Sequence, residues 1–135
     1  MDCVFCKIVE GQIPSTTIFE DNDFKVILDI SPANLGHSLV ICKHHYENLI
    51  EMPEELVGKG FIVAKKVAKA IKEATNCDGI NILQNNGVVA GQTVFHFHIH
   101  IIPRLEKDSV KIDFGDFKTE SEKIIEIGEK IKNNL

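Results

Sequence analysis

The chain has no apolar run approaching 18 residues, so no segment of it reads as a membrane span. It shows no basic stretch followed by an apolar one near its start, so no secretory signal is legible. Positive charge is not in surplus. The net charge is −5 over 135 residues, and the lysines fall mostly on predicted helices, which argues against a nucleic-acid backbone as partner. A small anion held by local donors is not excluded by that balance. There is no internal repeat and no low-complexity segment. With 44% hydrophobic and 26% charged residues, the composition is that of one globular domain over residues 1–135, large enough to bury a core without staples. In the absence of a signal, Cys3, Cys6, Cys42 and Cys77 read as thiols in a reducing compartment rather than a disulfide set, and the cytoplasm is the expected location. Cys42 and Cys77 fit as small buried residues beside a strand and a helix. Cys3 and Cys6 form a Cys-x-x-Cys that needs another account.

Taken in order, Cys3 to Ile8 reads as a turn or a single helical turn ending at Gly11. Thr16–Phe19 and Phe24–Ile30 read as strands joined by the turn cluster Glu20-Asp21-Asn22-Asp23, and His37–Cys42 as a third strand. His44–Met52 is expected to hold one or two helical turns. Pro53 suits a helix start. Glu54–Thr75 then reads as the long helix, with Val57, Phe61, Ala64, Ala68 and Ile71 as its apolar stripe; Gly58 and Gly60 weaken its first turns. Gly79–Gln84 is a fourth strand and Asn85–Thr93 a glycine-bearing loop. Thr119-Glu120-Ser121-Glu122 fits a capping box and opens a final helix over about 119–134. Short links between neighbouring strands favour an antiparallel sheet with helices packed on it, an α+β domain.

The stretch Phe95-His96-Phe97-His98-Ile99-His100-Ile101-Ile102-Pro103-Arg104 stands apart. Its alternation is that of a half-buried strand with three imidazoles on one face, neighbours ~6.6 Å apart along the chain. Pro103 cannot donate to a ladder, so the strand should end there or lie at an edge. Such a row can supply a base, an acid, a nucleophile or metal ligands near neutral pH. Two of its histidines with a third ligand could hold a catalytic Zn²⁺ with an open position for water. Leading into the row, Asn85, Asn86, Gly87, Gly91, Gln92 and Thr93 offer amide and hydroxyl donors and glycines that let backbone N–H groups approach an anion. That combination points to phosphate chemistry.

His96-Phe97-His98-Ile99-His100-Ile101-Ile102 resembles the His-φ-His-φ-His-φ-φ pattern of the histidine triad (HIT) family of nucleotide-binding hydrolases and transferases. The similarity to its Hint-like branch extends over residues 3–104. It takes in Phe5, the Asp29-Ile30-Ser31-Pro32 segment, His37 with the strand after it, Asn85 and Gly91-Gln92-Thr93. The resemblance implies a five-stranded antiparallel sheet, with one long and one C-terminal helix, paired into a ten-stranded sheet in a homodimer. It implies that His98 is the nucleophile that forms a nucleotidyl-histidine, that His100 contacts the α-phosphate, and that His37 abuts the triad. Asp29 would bind the ribose. Asn85, Gly91, Gln92 and Thr93 would hold phosphate, and Phe5, Ile8, Phe19 and Ile30 would line the base pocket.

The same resemblance makes Cys3, Cys6, His45 and His96 a structural zinc site, which would remove His96 from the chemistry; the choice of His45 over His44 rests on the family alone. No Mg²⁺ motif is apparent, and none is required. The implied activity is hydrolysis of purine nucleoside 5′-phosphoramidates or related AMP or GMP derivatives, with neither nucleic acid nor membrane as partner. The alternatives are dinucleoside polyphosphate hydrolysis and a nucleotide sensor with vestigial activity.

Overall fold

Five strands, β1 (Thr17–Glu20), β2 (Phe24–Leu28), β3 (Ser38–Cys42), β4 (Gly79–Leu83) and β5 (His98–Arg104), form one sheet in the order β1-β2-β3-β5-β4, antiparallel at every pairing. Three helices accompany it: α1 (Val4–Val9), α2 (Glu54–Thr75) and α3 (Ser121–Lys132). The computed structural model describes residues 2–135. The α+β class and the strand count expected from the sequence hold, and no described helix is long and apolar enough to cross a membrane.

The β1–β2 hairpin closes on Asp21, whose carboxylate accepts the N–H groups of Asp23 and Phe24 at 2.8 and 2.7 Å. An aspartate side chain that satisfies the backbone two and three residues on fixes a tight turn. The pleat then sorts side chains to two faces. On one, Phe24, Val26, Val40, Phe97, Ile99 and Ile101 pack under α2. On the other, Ile27, Leu39 and Ile41 meet Phe5 and Ile8 of α1. The histidines of β5 point to this second, more thinly covered face.

Several boundaries differ from expectation, each for a local reason. His44–Met52 forms turns rather than helix, since Asn86 and Asn48 take the N–H groups of Leu49 and Ile50. The buried stripe of α2 is Gly60, Val63, Ala64, Val67 and Ile71, rotated from the predicted one, and Phe61 is left at the surface. A Cβ on Gly60 would stand 3.1 Å from the Phe24 ring, so the helix lies directly on that ring. Pro103 sits inside β5 rather than ending it. The β3 ladder stops at the Ser38–Ile101 pair, and the Pro103 carbonyl accepts from Asn34 Nδ2 instead. The missing N–H therefore faces the side where no strand remains. The final helix starts at Ser121 with Glu120 as N-cap and no side-chain cap bond, so Thr119 does not close a capping box.

Gly60→Val forces a branched side chain against Phe24 and is expected to lower unfolding free energy by about 1–3 kcal/mol, read as a lower urea midpoint at unchanged slope.

Candidate functional site

β5 delivers His98 and His100 to the α1 side of the sheet, and the hydrogen bonds around them fix which nitrogen carries each proton. His98 Nδ1 lies 2.7 Å from the His96 carbonyl. A carbonyl only accepts, so Nδ1 bears the hydrogen and Nε2 keeps a free lone pair. The Ala33 N–H donates to His37 Nδ1 at 3.0 Å, which leaves the hydrogen of His37 on Nε2. That atom stands 3.0 Å from His100 Nδ1 and donates to it, so the hydrogen of His100 is on its own Nε2. The result is one imidazole presenting a lone pair and, beside it at 4.9 Å between ring centres, one presenting an N–H.

All three rings are held neutral. Burial lowers the pKa of His37 and His98 against the pull of Asp29. His100 is pushed down to about 4, by burial first and then by His98 and His37. Asp29 Oδ2 stands 3.7 Å from His37 Nε2, and its other oxygen accepts the Ser31 N–H. Asp29, His37 and His100 lie close enough to share a metal. The proton on His37 Nε2, dictated by Ala33 at the other nitrogen, goes to His100 Nδ1, so His37 and His100 form a hydrogen-bond relay, with Asp29 beside it beyond bonding distance.

A cavity of about 390 Å³ opens over these rings, walled by Phe5, Ile8, Ile27 and Leu39 and edged by Asp29, Ile30, Thr93, His98 and His100. Its lining is mostly apolar, with Asp29, Thr93, His98 and His100 among the few polar groups, the composition of a pocket for a largely apolar body with a polar head. Ile30 is almost wholly exposed on its lip. Phe19 is not part of it. The irregularity between Thr17 and Phe19 in β1 sets Phe19 opposite Val26, on the α2 face, where it packs against the main core. Gln92 is also reassigned. Its side chain is buried and fully engaged, accepting the Gly87 N–H and donating to the carbonyls of Glu47 and Val94, so it braces the loop rather than contacting a ligand. Asn85 bonds the Gly91 carbonyl at 3.5 Å and closes the same loop; Gly91 takes φ +97° there. Of the loop donors expected to meet phosphate, Thr93 is the one on the cavity wall.

Cys3, Cys6, His45 and His96 converge on one point. His96 Nε2 donates to the Cys42 carbonyl at 2.6 Å, which turns its Nδ1 lone pair toward the cluster. Nδ1 lies 3.4 and 3.6 Å from the two sulfurs and 3.1 Å from His45 Nδ1, and Cys6 Sγ is 3.3 Å from His45 Nδ1. Ligand atoms tetrahedral around zinc stand about 3.3–3.8 Å apart at ordinary bond lengths, so the donor set fits that ion. Without a cation, burial and the neighbouring Cys3 push the Cys6 thiol up to about 11, the reverse of what a bound dication does. His44 turns away to Asp23, which separates the two adjacent histidines. A bound metal would tie α1 to the sheet. Phe5, between the two cysteines, has its ring edge-on to both His96 and His98, so the same tie fixes a wall of the cavity.

The sequence reading missed one feature, the root of the C-terminal tail. Arg104 makes a two-pronged contact with Asp108 at 2.8 and 2.9 Å and reaches Asn81 and the Val110 carbonyl; the guanidinium holds the Asp108 carboxyl below the usual range. An Arg-x-x-x-Asp spacing just after a strand was the available signal.

The HIT domain family matches residues 10–107 of the chain. An uncharacterised HIT-like protein of Methanocaldococcus jannaschii is 46% identical over 116 residues, covering 86% of this chain and 89% of its own. An Arabidopsis thaliana adenylylsulfatase is 48% identical over 79% of this chain and 54% of its own. An adenosine 5′-monophosphoramidase of Saccharomyces cerevisiae is 41% identical over 79% of this chain and 65% of its own. Among solved structures, a HIT family member from Bacillus subtilis superposes with a TM-score of 0.94 at 40% identity, over 100% of this chain and 98% of that one. A zinc-bound histidine triad family protein from Mycobacterium smegmatis does so with 0.78 at 38%, over 100% and 99%.

Two outcomes follow from the protonation pattern and the thiol cluster. His37 and His100 bind protons less readily folded than unfolded, so the unfolded chain gains protons first as pH falls. Stability is therefore whole above about pH 6.5 and declines toward pH 4, and His100→Gln flattens that decline in urea titrations across the window. Replacing Cys3 and Cys6 by serine is expected to lower the thermal midpoint by roughly 5–10 °C and to speed amide exchange in α1.

Proposed function

The chain belongs to the HIT domain family, and we propose that it hydrolyses nucleoside 5′-monophosphate derivatives through a covalent adduct on His98. The observation that carries this reading is the proton order of the imidazoles: Nε2 of His98 is the one unprotonated ring nitrogen facing the cavity beside an imidazole N–H. A neutral imidazole held with its Nδ1 hydrogen on a carbonyl is a competent nucleophile without an activating base.

In the proposed reaction the base lies among Phe5, Ile8 and Ile27, and Asp29 Oδ2 accepts from the ribose. Nε2 of His98 attacks the α-phosphorus; the N–P bond forms as the bond from phosphorus to the leaving group breaks, and the amine departs with a proton passed through His100 Nε2, which the attacking water of the second step returns. As Nε2 becomes cationic, the proton on Nδ1 leans further onto the His96 carbonyl, which spreads the charge. His100 Nε2–H and the Thr93 hydroxyl donate to phosphoryl oxygens where negative charge accumulates. Water then cleaves the N–P bond and returns His98 to its neutral form. None of these steps requires a metal at the phosphate. Cys3, Cys6, His45 and His96 would hold zinc in a closed tetrahedral set that supplies rigidity, with no position for water.

The phosphoramidase and adenylylsulfatase relatives share a purine nucleotide joined at phosphorus to a non-nucleotide group. We take that as the substrate class, with AMP derivatives first. A second copy pairing edge to edge belongs to the same proposal. β4 is an edge strand without lysine, proline or bulge and leaves Ile82 at the surface, none of the usual devices against strand pairing.

His98→Asn is expected to reduce turnover of an adenosine phosphoramidate at least about 10³-fold while AMP binding by calorimetry stays within a few-fold. Quenching the unaltered enzyme with labelled substrate should trap an acid-labile nucleotidyl adduct on His98. A His98→Asn chain with near-normal rate removes the nucleophile assignment, and faster turnover of diadenosine polyphosphates than of phosphoramidates removes the substrate class.

A further inference from the structure

The proton order of the site starts at His37, and a single backbone N–H fixes it there, that of Ala33 at 3.0 Å from Nδ1. Ala33 belongs to the segment 31–36 between β2 and β3, which has little of its own to hold it in place. Ser31, Pro32, Ala33 and Leu35 are exposed, and the segment gives no side chain to either core. Its local bonds run back to its own ends. The Ser31 N–H goes to Asp29, the His37 N–H to the Asn34 carbonyl and the Ser38 hydroxyl to the Gly36 carbonyl. Among the described residues, one hydrogen-bonding group ties the segment to a distant part of the chain, the side-chain amide of Asn34. Its Nδ2 donates to the Pro103 carbonyl and to Oδ2 of Asp108, both at 2.9 Å. Carbonyl and carboxylate oxygens only accept, which settles which end of the amide carries the hydrogens.

Asp108 is well placed to receive that bond. Its side chain is 4% exposed. Its two oxygens take five donors, namely Nε and Nη2 of Arg104, the N–H groups of Leu105 and Val110, and Asn34. A buried carboxylate paired with a guanidinium in this way stays ionised and keeps one position. Arg104 is seated in its turn. It is the last residue of β5, four after His100, and its Nη1 reaches Asn81 of β4 at 2.7 Å. The clamp therefore sets the segment against the same strand that carries His100. Gly36 lets the chain come so near: at φ +102°, a Cβ there would stand 3.3 Å from Thr75 and 3.4 Å from Pro103. For Asp108 the Asn34 bond is surplus, since four other donors satisfy the carboxylate. For the segment it is the one long-range anchor.

What hangs on that anchor is the direction of a hydrogen bond. His37 and His100 can share their proton in two orders. In the structure, His37 Nε2 donates to His100 Nδ1, and His100 keeps a hydrogen on Nε2. In the reverse order His100 donates from Nδ1, His37 carries its hydrogen on Nδ1, and His100 turns a lone pair to the cavity, where it would repel a phosphoryl oxygen. With the Ala33 N–H in place, the reverse order sets two hydrogens against each other across 3.0 Å. Asp29 pulls toward the first order but stands 3.7 Å from Nε2, beyond bonding distance. Water in place of Ala33 donates or accepts equally well, so a displaced segment would open both orders.

We infer that Asn34, Asp108 and Arg104 are positioning residues: they hold the Ala33 N–H against His37 and so keep the donor face of His100 toward the substrate. This rests on the reaction proposed above for what the donor serves; the proton order itself does not depend on it.

Two-bond ¹⁵N–¹H spectra of the imidazoles, recorded beside steady-state kinetics on an adenosine phosphoramidate, test it in Asn34→Ala, Asp108→Asn and Leu35→Ala. The parent is expected to show Nδ1 unprotonated in His37 and His100 and protonated in His98. In Asn34→Ala and Asp108→Asn, the Nδ1 signals of His37 and His100 move to positions averaged between the two orders. There kcat falls at least about tenfold while KM stays within about twofold. His98 keeps its hydrogen on Nδ1 throughout, since the His96 carbonyl sets it, and so reports an intact fold. Should Asp108→Asn fail to fold, Asn34→Ala decides alone, because it leaves the carboxylate its other four donors. Leu35, next in the chain and 89% exposed, is expected to give parental spectra and rates as alanine. Parental spectra in Asn34→Ala overturn the inference. So does a Leu35→Ala chain that matches Asn34→Ala, which would mean that any change in the segment suffices, and so do shifted spectra at unchanged kcat. A parent chain without turnover removes the proposed reaction instead, and the spectra then decide by themselves whether the clamp sets the proton order.

Discussion

The hydrogen bond from His98 Nδ1 to the carbonyl of His96 is the constraint on which the rest of the site depends. It is a contact between a side chain and the backbone two residues earlier, so it is set by the path of the chain as it enters β5. Residues 94–97 lie outside the regular strand, which frees the His96 carbonyl from a ladder and lets it accept from the ring. Everything downstream follows from that proton: a lone pair on Nε2, a ring that in the proposed reaction gains charge only as phosphorus is attacked, and a neighbour that brings a hydrogen rather than a second lone pair. Ala33 supplies the last condition from the far end of the relay, by donating to His37.

The thiol–imidazole cluster bears on the same hydrogen bond from the other side. His96 is bound at both nitrogens, by the Cys42 carbonyl and by the cluster, so its backbone has little freedom to move. The ring of Phe5 then spans the two sites, edge-on to His96 and to His98. A short N-terminal helix with a single turn's worth of internal bonds would be a poor wall by itself. Tied through Cys3 and Cys6 by a metal it would become part of the frame, and in the proposed reaction structural and catalytic histidines divide the triad between them.

Much of this was legible in the chain. Period-two alternation from Phe95 to Ile101 placed the imidazoles on one face, and Pro53 with Asn76 bounded the long helix where the structure has it. The family pattern brought together residues as distant as Cys3, His45 and His96. The failures share a cause, since each depends on what a side chain meets across the fold. Phe19 changes face through an irregularity that its own strand does not announce. Gln92 reads as a phosphate donor until its partners at Gly87, Glu47 and Val94 are known. The stripe of α2 is displaced because Phe24, far away in sequence, occupies the room a side chain at position 60 would need. Pro103 meets its rule by the second route, since β3 stops two residues short of it and leaves that side of the strand an edge.

The loop braced by Gln92 has a consequence of its own. Tied to Glu47 on one side and to Gly87 and Val94 on the other, it resists re-forming around whatever enters, so in the proposed reaction the non-bridging oxygens of the phosphoryl group would meet fixed and unlike surroundings. Those two oxygens differ little in free solution, where only the distant ribose distinguishes them, and a rigid site would tell them apart strongly. A rigid loop of this kind would choose between the two faces of the phosphoryl group, and thiophosphate substrates epimeric at phosphorus would be handled as different molecules.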